Sequence, residues 1–213
     1  MDFVPDAATL AAFTIAVWVL AITPGPDMTL AIARSLSDGK VGGFMAVLGS
    51  SSGLVIHTLL VALGISALII ASPAAFAVLK TGGAAYLVWL AIQAIRHGSS
   101  LSVRRAERPA GSALSSYLTG FWVNLLNPKV ILFFMTFLPQ FVTASDPHVT
   151  GKLIFLGLWA ILLGMPINAA IVLAAERLST WLQDNRRVLR GIDYTFAGIF
   201  SLFAFKIFMT QAR

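Results

Sequence analysis

Two charged residues stand against prolines deep in apolar sequence: Asp27 in Thr23-Pro24-Gly25-Pro26-Asp27, and Lys129 in Asn127-Pro128-Lys129. A proline inside a helix removes one backbone hydrogen bond and blocks another, at about 3 kcal/mol or more. Pro24 and Pro26 flanking Gly25 therefore predict a helix opened for a turn, and Pro128 predicts a second opening. Freed carbonyls at one broken end suit a cation, and freed amides at the other suit an anion. A zwitterion suits both. In that setting Asp27 would bind a proton or anchor an ammonium group, and Lys129 would hold a carboxylate or neutralise Asp27 when the site is empty. The plainer alternative is two kinked helices bridged by a structural Asp27–Lys129 pair.

Other polar residues add less. His57 lies one turn beyond Gly53 and could join a proton relay, or simply bond to a neighbouring helix. Asn124 and Asn168 could line a cavity or bond between helices. Gly49 with Gly53, and Gly39 with Gly43, make small-xxx-small patterns for close helix packing, within one subunit or across a homodimer. His97 and His148 fall in loops with no paired ligand spacing, so no metal site is expected. Gly49-Ser50-Ser51-Ser52-Gly53 matches the hydrolase motif G-x-S-x-G, but that motif needs a strand–turn–helix setting. Here it lies in apolar helix, so a catalytic Ser51 is not expected. No P-loop is present to bind ATP, and no cofactor is expected.

The elements that must position these residues follow from composition. Of the 213 residues 58% are hydrophobic and only 11% charged, against roughly 25% charged in a soluble domain. Uncharged runs of 20 residues (Ala7–Pro26), 39 (Val41–Leu79) and 23 (Leu153–Ala175) match the requirement of about 20 apolar residues per membrane-spanning helix. The 39-residue run is twice too long for one crossing and must be a hairpin turning at Ser72-Pro73. Six spans result, at about 7–34, 42–71, 74–96, 113–143, 152–176 and 190–210, forming one transport-sized domain over 1–213. Lys80 and Lys206 fall near span ends, where long cationic side chains snorkel to the interface.

The chain has no cysteine, which removes disulfides and thiolate sites. Its net charge of +6 fits attraction to anionic lipid better than nucleic acid. The acidic start, with Asp2 and Asp6, does not resemble a cleavable signal. Ten cationic residues fall on one side of the six spans: Arg34, Lys40, Arg96, Arg104, Arg105, Arg108, Arg177, Arg186, Arg187 and Arg190. Lys80, Lys152, Lys206 and Arg213 fall on the other. Positive loops mark the cytoplasmic face, so both termini are expected outside. The basic segment 97–112 divides the chain into three spans (1–96) and three spans (113–213). An odd number per half gives the halves opposite orientation, the condition for an inverted repeat. The two breaks occupy corresponding places, about 17 and 15 residues into their spans.

With the breaks placed, three motifs in order carry a family resemblance. These are Thr23-Pro24-Gly25-Pro26; Gly82-Gly83-Ala84-Ala85-Tyr86-Leu87-Val88-Trp89-Leu90; and Phe121-Trp122-Val123-Asn124-Leu125-Leu126-Asn127-Pro128-Lys129, running on to Pro139-Gln140-Phe141. Along its whole length the chain resembles the lysine exporter family of bacterial amino-acid effluxers, the LysE/RhtB type. The resemblance implies export of amino acids or related small metabolites across a bacterial inner membrane, in exchange for protons. Thr23, Pro24, Gly25, Asp27, Asn124, Asn127 and Lys129 would then contact substrate, with Asp27 and His57 as proton-coupling candidates. Related thiol-transfer proteins depend on paired cysteines, which this chain lacks. Exporters of inorganic cations with the same architecture, or a non-transporting membrane scaffold, are the alternatives.

Overall fold

A computed structural model describes residues 3–97, 111–143 and 145–211. Within them every regular element is helical: α1 Ala7–Ile22, α2 Pro26–Ser37, α3 Gly39–Ala71, α4 Pro73–His97, α5 Ala113–Leu125, α6 Pro128–Leu132, α7 Val149–Leu173, α8 Ala175–Asp184 and α9 Arg186–Gln211. A π-helical turn (Phe133–Phe137) and a 3₁₀ turn (Leu138–Phe141) extend α6. Among the described residues α3, α7 and α9 each hold a stretch long and apolar enough to cross a membrane, and the bent pairs α1–α2 and α5–α6 bring the number to as many as five. The apolar stretch of α4, Ala77–Gln93, is shorter. Length and apolarity thus support three to five crossings among the described residues.

Both expected breaks are present. The chain bends by 50° between α1 and α2 and by 52° between α5 and α6. Each second half-helix opens with proline in its first turn, where the missing N–H costs nothing. The start of α1 is fixed by Asp6, whose carboxylate accepts from the Thr9 amide at 2.9 Å, and the turn at Ser72 falls where expected.

Other boundaries move. Only Asp38 separates α2 from α3, because Gly39 takes the left-handed conformation (φ 72°) that glycine reaches without strain. The stretch 177–189, expected as a loop, contains most of α8 and the start of α9. Arg104, Arg105, Arg108 and Arg213 lie outside the described residues, as do the side chains of Lys80, His97 and Lys206.

Helix α3 packs along both α5 and α7, and α4 packs along α9. The α3–α5 crossing brings backbones together at glycine. A Cβ on Gly49 would lie 1.9 Å from the Tyr117 carbonyl oxygen, and one on Gly120 would lie 2.1 Å from that of Ala46. The Gly49/Gly53 pattern is therefore used within the subunit, with Gly53 against Asn124. The largest cluster of buried apolar side chains is aromatic at its centre: Phe133 and Phe137 of the π turn stack at 4.8 Å, and Phe137 meets Phe13 and Phe200. This cluster fixes α6 and its extension against α1 and α9, and so sets where Lys129 can reach.

Candidate functional site

The two breaks meet. Asp27, in the first turn of α2, receives hydrogen bonds from three side chains. Asn124 Nδ2 lies 3.1 Å and Ser50 Oγ 3.2 Å from Oδ1, and Asn127 Nδ2 lies 2.5 Å from Oδ2. Asn127 serves two ends at once, since its Oδ1 also caps α6 by accepting from the Lys129 amide at 3.0 Å. The N-capping asparagine at the second break is thereby oriented to hold the carboxylate at the first.

Lys129 answers in the other direction. Its Nζ donates to the carbonyls of Leu20 (3.0 Å) and Thr23 (2.7 Å), at the C-terminal end of α1. These are groups that the break leaves without a helical partner, and a cation there also meets the negative end of the α1 dipole. The ring of Phe196 lies 5.9 Å from the same nitrogen, within cation–π range. Asp27 takes its hydrogen bonds from Ser50 and the two asparagines, and Lys129 gives its own to carbonyls. A direct Asp27–Lys129 hydrogen-bonded pair does not form. Instead each half of the chain supplies one charge, and the other half supplies neutral groups that solvate it, with Ser50 of its own half added for Asp27.

Between these groups lies a cavity of about 100 Å³. Thr23, Gly25, Asp27, Ser50, Ser51, Asn124, Asn127, Lys129 and Asn168 give it a polar side, while Leu20, Val130, Phe133 and Phe134 supply apolar walls. Of the residues singled out in the sequence, Thr23, Gly25, Asp27, Asn124, Asn127, Lys129 and Asn168 line this space. Pro24 and Pro26 shape the break without lining it. His57 is buried behind Asn124, with Nε2 3.5 Å from that residue's backbone oxygen and its ring 5.8 Å from Phe134. Ser51 sits within continuous α3 and donates to Val47 O at 2.9 Å, which is not the setting of a nucleophile elbow.

Three participants escape sequence reasoning. Ser50 is one of three consecutive serines, and nothing in the pattern marks it as the one that reaches Asp27. Asp193 of α9 is buried at 2% exposure and interacts electrostatically with Lys129. Three residues after Arg190, it reads in sequence as part of a charged helix end. Pro166 lies inside the continuous α7, two residues from each of the cavity-lining Gly164 and Asn168, and Asn168 Nδ2 donates to the Gly164 carbonyl at 3.0 Å.

The halves are also tied at the cation-rich end. Asp38 accepts from the Arg34 guanidinium (2.9 Å), the Gly111 amide (2.9 Å) and the Ser116 hydroxyl (3.1 Å). Arg34 reaches on to Thr119 at 3.1 Å. Burial alone would raise the affinity of Asp38 for a proton, but the Gly111 amide, Arg34 and the nearby serine hydroxyls outweigh it and hold its carboxyl below the ordinary carboxylate range.

Comparison with known proteins matches this architecture to a described group. The model of the family described as LysE type translocator matches residues 18–211. The homoserine/homoserine lactone efflux protein of Salmonella typhimurium is 30% identical over 185 residues, which is 86% of this chain and 88% of that protein. An uncharacterized membrane protein of Vibrio cholerae is 30% identical over 179 residues (84% and 86%), and YrhP of Bacillus subtilis, also an uncharacterized membrane protein, is 28% identical over 176 (79% and 83%). No solved structure matches.

Proposed function

The chain belongs to the LysE type translocator family, and on that premise we propose that it is a secondary exporter of amino acids or related small metabolites, driven by exchange for protons across a bacterial inner membrane. The observation that carries this reading is the reciprocal arrangement at the two breaks: Asp27 is held by Asn124 and Asn127, and Lys129 caps α1, around one cavity. Broken helices facing a cavity are how membrane transporters satisfy irregular backbone and bind polar cargo. The relatives named as efflux proteins support the direction of transport.

In this reading α1–α2, α5–α6, α3, α4, α7 and α9 make six spans, and the halves 1–96 and 113–213 form an inverted repeat. The contacts of α3 with α7 and of α4 with α9 pair corresponding spans, which supports it. Both termini face the outer side, in keeping with the cationic residues of the intervening connections. Asp27 exchanges its amide and hydroxyl donors for the substrate ammonium, and substrate and proton compete for that carboxylate. Rocking of one half against the other about the cavity then alternates access.

Everted membrane vesicles test this directly. An imposed gradient, acid inside, drives accumulation of an amino acid by the wild type, and a protonophore abolishes it. Loss of a hydrogen bond to a charged group costs about 1.5–3 kcal/mol, so Asp27→Asn lowers apparent affinity by roughly tenfold or more. Failure of the wild type to accumulate any small metabolite overturns the reading. So does pH-gradient-driven transport at wild-type level in Asp27→Asn.

A further inference from the structure

Among the described glycines of the helices, Gly164 differs from both the packing glycines and the exposed ones. Seven buried glycines, at positions 42, 43, 49, 53, 83, 120 and 157, are packing residues: a Cβ on any of them would meet another atom at 2.7 Å or less. Gly64, Gly82, Gly191 and Gly198 are exposed, with nothing within 4 Å of a Cβ. Gly164 is buried, yet a Cβ there would meet only Asn168 Nδ2, at 3.8 Å. Gly164 lines the cavity, so the space its missing side chain leaves is cavity space. Alanine would fit with no more than ordinary van der Waals contact and is the better helix former. Packing therefore does not explain the glycine.

Its neighbours define a wall. Ala160 is 7% exposed and lines the same cavity one turn earlier, and residues four apart share a helix face. Asn168 follows one turn later and is held to the Gly164 carbonyl. This face of α7 lines the same cavity as Asp27 and Lys129, so a molecule anchored by its charged groups at the breaks would extend its remaining atoms toward it.

We infer that Gly164 sets the size limit of the transported molecule: its side chain occupies the volume that a Cβ at position 164 would fill. Ala160 sets the neighbouring limit. This rests on the exporter reading above and adds the element that discriminates between substrates.

The test uses everted vesicles with wild type, Gly164→Ala, Gly164→Val and Ala160→Gly, and radiolabelled alanine, threonine, leucine and phenylalanine as probes. One methylene in a closed pocket is worth roughly 10-fold or more in discrimination. For the Gly164 variants, the rate ratio of the largest to the smallest accepted probe falls by about that factor per added carbon. Ala160→Gly moves it the other way, or admits a larger probe that the wild type rejects. Equal loss across all probes in the Gly164 variants overturns the inference, as does an unchanged ratio in Gly164→Ala and Ala160→Gly. If Gly164→Val does not fold, those two conservative variants decide alone. If the wild type accumulates neither these probes nor any other small metabolite, the exporter reading fails, and that is seen without any variant.

Discussion

Substituting Gly120 by alanine sets two opposed effects against each other, and the structure says which wins. In a helix interior alanine is favoured over glycine by about 1 kcal/mol. At Gly120 the new methyl would stand 2.1 Å from the Ala46 carbonyl oxygen and 2.8 Å from its carbon. Both are backbone atoms of α3, so no rotamer change relieves the contact and the helices must part by more than 1 Å. Overpacking costs about 1–3 kcal/mol, and a backbone clash belongs at the upper end. The net expectation is destabilisation by about 2 kcal/mol. Gly64→Ala is the matched control: it is exposed, with nothing within 4 Å, and should gain up to about 1 kcal/mol. Unfolding by SDS in mixed micelles reads both. The same chemical change should shift the midpoint in opposite directions at the two positions. Gly120→Ala should also slow transport, because Gly120 O and Asp27 share the Ser50 hydroxyl, at 3.2 Å each. A Gly120→Ala protein as stable as wild type would refute the claim that α3 and α5 touch backbone to backbone.

Asp38→Asn removes the charge that holds Arg34, Gly111 and Ser116 together and should cost about 1–3 kcal/mol. Because the folded carboxyl lies below the ordinary carboxylate value of 3.8, its stabilisation is complete above that pH and is lost as pH falls through the folded value. Melting curves of wild type and variant should therefore stay separated by a constant amount from pH 5 to 8 and converge only in stronger acid. Lys129→Met leaves the Leu20 and Thr23 carbonyls without their donor, at about 1–3 kcal/mol per unsatisfied group. SDS unfolding should show it less stable than Lys129→Gln, which keeps an N–H to offer.

The breaks were legible because proline acts locally, removing a helical hydrogen bond at Pro24, Pro26 and Pro128, although Pro166 inside an unbroken α7 shows that proline alone does not decide a break. Asp27 and Lys129 were legible because a charge in apolar sequence demands a partner. Which partner it finds is a three-dimensional matter. Asn124 and Asn127 lie 97 and 100 residues from Asp27, and no periodicity says that they reach its carboxylate while Lys129 turns to carbonyls. Ser50 was hidden among identical neighbours, and Asp193 beside Arg190. The void at Gly164 was unreadable for another reason: a packing glycine and a cavity glycine are the same letter, told apart only by what stands opposite.

The reciprocal solvation of Asp27 and Lys129 also has a consequence for synthesis. Its two asparagine donors leave the ribosome about a hundred residues after Asp27 does, which at 5–20 residues per second means a wait on the order of 5–20 s. During that interval the first half sits at the translocon with a carboxylate lacking those amide donors, and α1 ends in carbonyls that no ammonium yet covers. Assembly of this protein thus includes a period in which its future binding groups must be sheltered by water, lipid headgroups or the insertion machinery.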